Sequence, residues 1–216
     1  MEDLKKIQDL ASAQSLKPVV IGGYAVRAYT RTRIRYTKDI DLALPRREES
    51  TKLRGILARL GYSITEKPYG LSGYRKVRGV AIVVNTIIDD VWAEEKEIKS
   101  FYPVGISIKA NVSSIEDLLI LKSRVWRERD IIDLCLLLLE SFNSINVERL
   151  KQRLRSKDFY QGFQNSLKRL LNLIGKKKFH LVWEDFMGRK IEKGEEEELW
   201  KKLNELNKLV KSICND

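Results

Sequence analysis

Residues 39–44, DIDLAL, set two aspartates two positions apart inside a run otherwise suited to a buried β-strand. Side chains at i and i+2 of a strand leave from the same face, so Asp39 and Asp41 stand side by side while Ile40, Leu42 and Leu44 point into the core behind them. Two adjacent carboxylates stay ionised cheaply only if a cation neutralises them. Hard oxygen ligands suit Mg²⁺, which takes one or two carboxylates and fills its shell with water and substrate phosphates. An isolated Asp-x-Asp on an exposed strand edge would more often be solvated surface, so the neighbouring sequence matters.

Upstream, KPVVIGG reads as a short buried strand ended by Gly22 and Gly23, and YAVRAYT follows with helical character. Glycines between a strand and a helix let the backbone approach a phosphate, whose charge is met by the free N–H groups of the helix N-terminus. The spacing is that of neither a dinucleotide fingerprint nor a P-loop. Further along, STKLRGILARLGY is an amphipathic helix with Gly61 as a natural C-cap, and YSITEK is a candidate strand. PYGLSGYRKVRG reads as a glycine-punctuated loop or hairpin, VAIVVNTIIDDVW as a third major strand, and GISIKANV as one more. From Ser113 onward the pattern is helical, starting with a capping signature and one or two helices across SSIEDLLILKSRVWRERDIIDLCLLLLESF. In the last helix, Leu199, Leu203, Leu206, Val210 and Ile213 step by four and three, which predicts a helix docking on a bundle. The fold class expected is α+β, with a catalytic domain over 1–112 and an all-helical domain over 113–216.

The longest apolar stretch, LCLLLL, falls well short of the run of about 18 residues that would cross a bilayer. With no apolar signal-peptide core at the N-terminus either, no membrane association and a cytoplasmic location are expected. Cys135 and Cys214 match no disulfide framework and no metal-ligand spacing. The net charge of +11 favours a polyanionic partner. Residues 145–178 hold ten Lys and Arg against Glu148 and Asp158 alone, a local balance of +8. A solvated lysine-rich helix face accounts for such a run as readily as nucleic acid does. The cluster Arg27, Arg31, Arg33, Arg35 and Lys38 before the aspartates has two readings of its own, binding of substrate phosphates or a solvated loop. His180 is given no role, and Tyr160, Trp183, Phe186 and Trp200 are expected in the helical core.

Gly22-Gly23 followed by Arg35-x-Thr37-x-Asp39-Ile40-Asp41-Leu42 resembles the signature of the DNA polymerase β-like nucleotidyltransferase superfamily. Within it, the R-x-T-x-D-I-D-L form and the later EDLLILK…RERDIIDL are similar to the AbiEii-type and MenT-like toxin nucleotidyltransferases. The resemblance runs from about Val19 to Leu139 and implies a mixed β-sheet flanked by helices. It also implies a reaction in which an acceptor hydroxyl attacks the α-phosphate of an NTP and pyrophosphate leaves. Asp39 and Asp41 would bind Mg²⁺, with Gly22 and Gly23 cradling the β- and γ-phosphates, Thr37 orienting the strand, and Arg35 and Lys122 binding nucleotide. A third carboxylate on a neighbouring strand completes such sites. Its candidates here are Asp89, which shares a face with Asn85 and Ile87, and Asp90 as the alternative. Around Lys122 a plain reading also stands, in which Arg129 and Asp133, four residues apart on one helix, form an ion pair.

The expected function is therefore Mg²⁺-dependent transfer of a nucleotide from an NTP to an acceptor on RNA, tRNA included, as the toxin of a toxin–antitoxin system with an antitoxin partner. Two alternatives stay open: transfer to a protein or small molecule, and a non-catalytic nucleotide- or RNA-binding module.

Overall fold

The computed structural model describes residues 1–31, 36–100, 106–156 and 159–212. The chain divides into two compact units, Met1–Ala28 with Tyr36–Ser114, and Tyr29–Arg35 with Ile115–Asp216. The first unit thus ends at Ser114 and gives up a short segment from Tyr29 onward to the second, an exchange that no shift in composition announces.

The first unit is built on seven strands: β1 (Val19–Ile21), β2 (Ile40–Leu44), β3 (Ser63–Lys67), β4 (Gly70–Val77), β5 (Val80–Ile88), β6 (Ala93–Lys99) and β7 (Ser107–Ser113). They form one mixed sheet in the order β3-β4-β5-β2-β1-β7-β6. Strand β2 runs parallel to β5 and antiparallel to β1, and β1 runs parallel to β7. Its central place follows from its composition, since Ile40, Leu42, Ala43 and Leu44 are all buried and only Asp41 is partly open. Strand β6, AEEKEIK, is charged at most positions and buries only Ile98, which suits the edge it occupies beside β7. That composition hides it from a hydrophobic-pattern reading.

PYGLSGYRKVRG is largely the strand β4. Its turn is the two-residue loop Arg78-Gly79, both at positive φ, which closes a tight hairpin with Val77 paired to Val80. Helix α1 (Glu2–Ser12) packs on α3 (Arg47–Arg59), and α3 lies against β2, β3 and β4. Leu4, Ile7 and Ala11 of α1 and Leu53, Ile56 and Leu57 of α3 are fully buried. Each buried leucine or isoleucine contributes about 1.5–3 kcal/mol. One charge joins this core: Asp3 pairs with Arg75, whose Nε donates to Oδ2 at 2.8 Å, and accepts the Tyr62 hydroxyl. Burial raises the Asp3 pKa, but the Arg75 and Tyr62 hydrogen bonds outweigh it and hold the carboxyl below its ordinary value.

The second unit contains α4 (Ile115–Val125), α5 (Glu128–Ser141), α6 (Val147–Ser156), α7 (Tyr160–Leu173), α8 (Lys177–Met187) and α9 (Lys193–Ser212). Helix α5 is buried on every side from Asp130 to Leu139 and packs against α4, α8 and α9, so LCLLLL is the centre of a helical bundle. Cys135 sits free within it, and burial pushes its thiol pKa up. Leu199, Leu203, Leu206 and Val210 of α9 are fully buried, as their spacing predicts, while Ile213 and Cys214 lie outside the described residues. Trp183 is core, Phe186 and Tyr160 are half-buried, and Trp200 is exposed, so the core expectation fails for Trp200. His180 bonds Glu196 at 2.8 Å, an ordinary surface contact.

Candidate active site

Asp39 immediately precedes β2 and Asp41 is its second residue, both partly exposed in a strand otherwise closed to water. Asp41 is paired in register with Ile21, the last residue of β1. Helix α2 (Gly22–Tyr29) begins at the next residue, so the Gly-Gly dipeptide is the first turn of the helix and not a connecting loop. Gly22 holds φ at +68°, and a β-carbon added there would overlap the Asp41 side chain, lying 2.8 Å from Cβ and 2.9 Å from Cγ. Glycine is required twice over, by the left-handed backbone and by the close approach of the carboxylate. The start of α2 and the Asp41 carboxylate therefore share one small space. Gly23, the next residue, is buried.

Across the other edge of β2, Asp41 is in register with Asn85 of β5, and Asn85 with Ser72 of β4. The Asn85 Nδ2 donates to Asp41 Oδ1 at 3.2 Å, and the Ser72 hydroxyl donates to Asn85 Oδ1 at 3.0 Å. Neither Asn85 nor Ser72 stood out as a site residue in the sequence. The visible signal was the Asn85-Thr86 interruption of an apolar run, and only the parallel β2–β5 register makes it meaningful.

That register corrects the expectation for the third acid. Because β5 runs parallel to β2, its C-terminal end lies beside Leu44, and the Asp89 amide donates to the Leu44 carbonyl at 2.9 Å. Asp89 is four residues past Asn85, roughly 13 Å along a strand that rises about 3.3 Å per residue. Asp90, exposed, is one residue further on. Alternation puts Asp89 on the correct face but says nothing about position along the strand. Among the described residues, no three His, Cys, Asp or Glu side chains converge as a metal cage. Asp41 is the carboxylate beside Gly22, with Asp39 two residues before it in sequence; two such carboxylates fit a Mg²⁺ ion that takes its remaining ligands from water and phosphate.

Thr37 is half-buried two residues ahead of Asp39, and Arg35, like Arg33, lies outside the described residues. Arg27 is not a solvated cation: it is buried, with its guanidinium 5.5 Å from the Tyr24 ring. Lys122 belongs to the helical unit, where its side chain is 7% exposed and its ammonium lies 2.5 Å from Asp133 and 3.2 Å from Asp130. Arg127 Nε donates to Asp130 at 2.7 Å. Burial raises the Asp130 pKa, yet the Arg127 hydrogen bond and the Lys122 charge hold it below its ordinary value. Asp133 thus takes Lys122, eleven residues away on α4, as a partner where the spacing suggested Arg129. A second buried pair, Arg153 with Asp117 at 2.5 Å, ties α6 to α4 and removes one cation from the basic run.

Among solved structures, the chain is similar to a putative nucleotidyltransferase from H. pylori, with 13% identity, a TM-score of 0.58, and 97% of this chain and 93% of that one covered. It is also similar to MenT4, a nucleotidyltransferase toxin from Mycobacterium tuberculosis H37Rv, with 12% identity, a TM-score of 0.57, and 97% and 82% covered. At such identities the likeness is one of fold. No curated protein matches the chain. The family described as nucleotidyl transferase AbiEii toxin, type IV TA system, matches residues 4–205. With that match spanning both units, the chain belongs to the AbiEii nucleotidyltransferase toxin family and is a nucleotidyltransferase.

Proposed function

We propose that Asp39 and Asp41 are the metal-binding carboxylates of an NTP-dependent transferase whose acceptor is an RNA hydroxyl. The observation that carries this reading is the shared space of the Asp41 carboxylate and the glycine start of α2. Such a juxtaposition gives a triphosphate both unpaired backbone N–H donors and a nearby anionic pair able to bind it through Mg²⁺. When bound, the ion supplies Lewis-acid polarisation of the phosphoryl oxygens and lowers the pKa of a coordinated hydroxyl.

The residues of the chain then hold and orient the substrate. Gly22 and Gly23 admit the β- and γ-phosphates close to the backbone, and Asp39 and Asp41 set the position of the α-phosphate. The acceptor oxygen bonds to the α-phosphorus, the bond to the bridging β-oxygen breaks, pyrophosphate leaves with its electron pair, and the hydroxyl proton is released to solvent. Thr37 enters as a nucleotide-binding residue through the family resemblance. An RNA acceptor is supported by the exposed cations Arg149, Arg155, Lys168, Arg169, Lys176, Lys177 and Lys178 of the helical unit. No described helix is long and apolar enough to cross a membrane. Membership of a type IV toxin family supports an antitoxin encoded to oppose it.

The test is incubation with α-labelled NTPs, Mg²⁺ and total RNA. Label on RNA, lost in the Asp39→Asn and Asp41→Asn variants, is the expected result. Label on protein or small metabolites alone would refute the RNA acceptor, and no carboxylate-dependent label at all would refute the transferase site.

A further inference from the structure

We propose that Asn85, the register partner of Asp41 on the neighbouring strand β5, is a positioning residue for Asp41. The inference rests on the assignment of Asp41 as a metal-binding group. Three strands set up the arrangement, because Ser72 on β4, Asn85 on β5 and Asp41 on β2 are consecutive register partners and their side chains leave the sheet in one row. The hydrogen bonds run in one direction along that row, from the Ser72 hydroxyl to Asn85 Oδ1 and from Asn85 Nδ2 to Asp41 Oδ1. Chemistry favours this direction, since an ionised carboxylate can only accept, so the amide turns its NH₂ toward Asp41 and its oxygen toward the Ser72 hydroxyl, which donates.

The consequence for Asp41 is a fixed carboxylate plane. Oδ1 receives the Asn85 donor on the β5 side, and Oδ2 lies against the notch left by Gly22 at the start of α2. The two oxygens are thereby distinguished. The one facing the phosphate-binding helix end is presented to the cation, and the other is held. A carboxylate at position 85 would behave in the opposite way, since it would repel Oδ1 in the metal-free protein and add to the negative charge that attracts the cation. An amide at position 85 adds no charge to that of Asp39 and Asp41 and cannot act as a base toward the acceptor hydroxyl.

Replacing Asn85 should change metal binding in two directions, a signature that loss of packing would not produce. Mn²⁺ binding to the nucleotide-free protein, followed by electron paramagnetic resonance, gives a readout independent of turnover. We expect Asn85→Ala to weaken Mn²⁺ binding severalfold and to lower kcat about tenfold with an unchanged melting temperature. Ser72→Ala should move both in the same direction by less. Asn85→Asp should tighten Mn²⁺ binding at least tenfold. Asp41→Asn is the control for the underlying assignment. If it loses both Mn²⁺ binding and transfer while all three row variants bind Mn²⁺ like the wild type, the positioning role is overturned and the site stands. If Asp41→Asn itself keeps both, the site assignment fails first.

Discussion

Two residues in the chain are held by constraints strong enough to give a number. Lys122 is buried between Asp130 and Asp133, so Lys122→Ala leaves two carboxylates facing each other in the bundle with one cation fewer. The expected cost is about 3–5 kcal/mol, read from urea unfolding, and Lys122→Arg should restore part of it. Any loss of transfer in Lys122→Ala therefore has to be measured well below its unfolding midpoint, where a role in nucleotide binding is separable from collapse of the helical unit. Gly22 is bound by its left-handed φ and by the carboxylate it faces. Gly22→Ala is expected to lose roughly 1–2 kcal/mol from the backbone alone. It should also reduce transfer far more than that loss explains, because the new methyl displaces Asp41. A Gly22→Ala enzyme with wild-type kcat would break the link drawn between the glycine start of α2 and the carboxylate.

Between elements, the connections show where the molecule can be improved without touching the site. Ser15, exposed after α1, and Arg78, in the β4–β5 turn, both sit at positive φ without being glycine. Ser15→Gly and Arg78→Asn should each raise stability by roughly 0.5–1 kcal/mol, visible as a higher denaturation midpoint with an unchanged slope. The elements were legible in the sequence to very different degrees. Strand β5 announced itself through a β-branched run and β2 through DIDLAL, because both are buried and composition then reports structure directly. Strand β6 did not, since an edge strand needs little apolar surface, and AEEKEIK owes its conformation to the β7 backbone beside it. The same distinction explains the site. Asp39, Asp41 and the glycines are local in sequence and could be read together, whereas the pairing of Asp41 with Asn85 depends on a strand register more than forty residues away. Alternation alone favoured Asp89, which has the right face and the wrong end.

At the scale of the whole molecule, charge governs stability in acid and supports the proposed RNA partner. Asp3 and Asp130 have folded-state pKa values below their unfolded ones. Groups of this kind contribute stability that is complete above the unfolded value of about 3.9 and disappears as pH falls through the folded value. Stability should therefore fall below about pH 4, and Asp3→Asn should flatten that fall as followed by denaturant titration at a series of pH values. The basic helical unit makes a separate prediction about RNA. Neutralising Lys176, Lys177 and Lys178 together, all exposed, should lower RNA affinity and reduce the slope of log affinity against log salt by about 2. An unaltered slope would place the RNA elsewhere on the protein.

The proposed chemistry rests on Asp39, just before β2, and Asp41, within it, as the groups that drive nucleotide transfer. Its most direct test is a parallel assay of pyrophosphate release and α-label transfer in the presence of Mg²⁺ by the wild type, Asp39→Asn and Asp41→Asn. The wild type should release one pyrophosphate for each nucleotide transferred, and each variant should lose at least about 100-fold in rate while melting at or above the wild-type temperature. Transfer by a folded Asp41→Asn protein at the wild-type rate would contradict it.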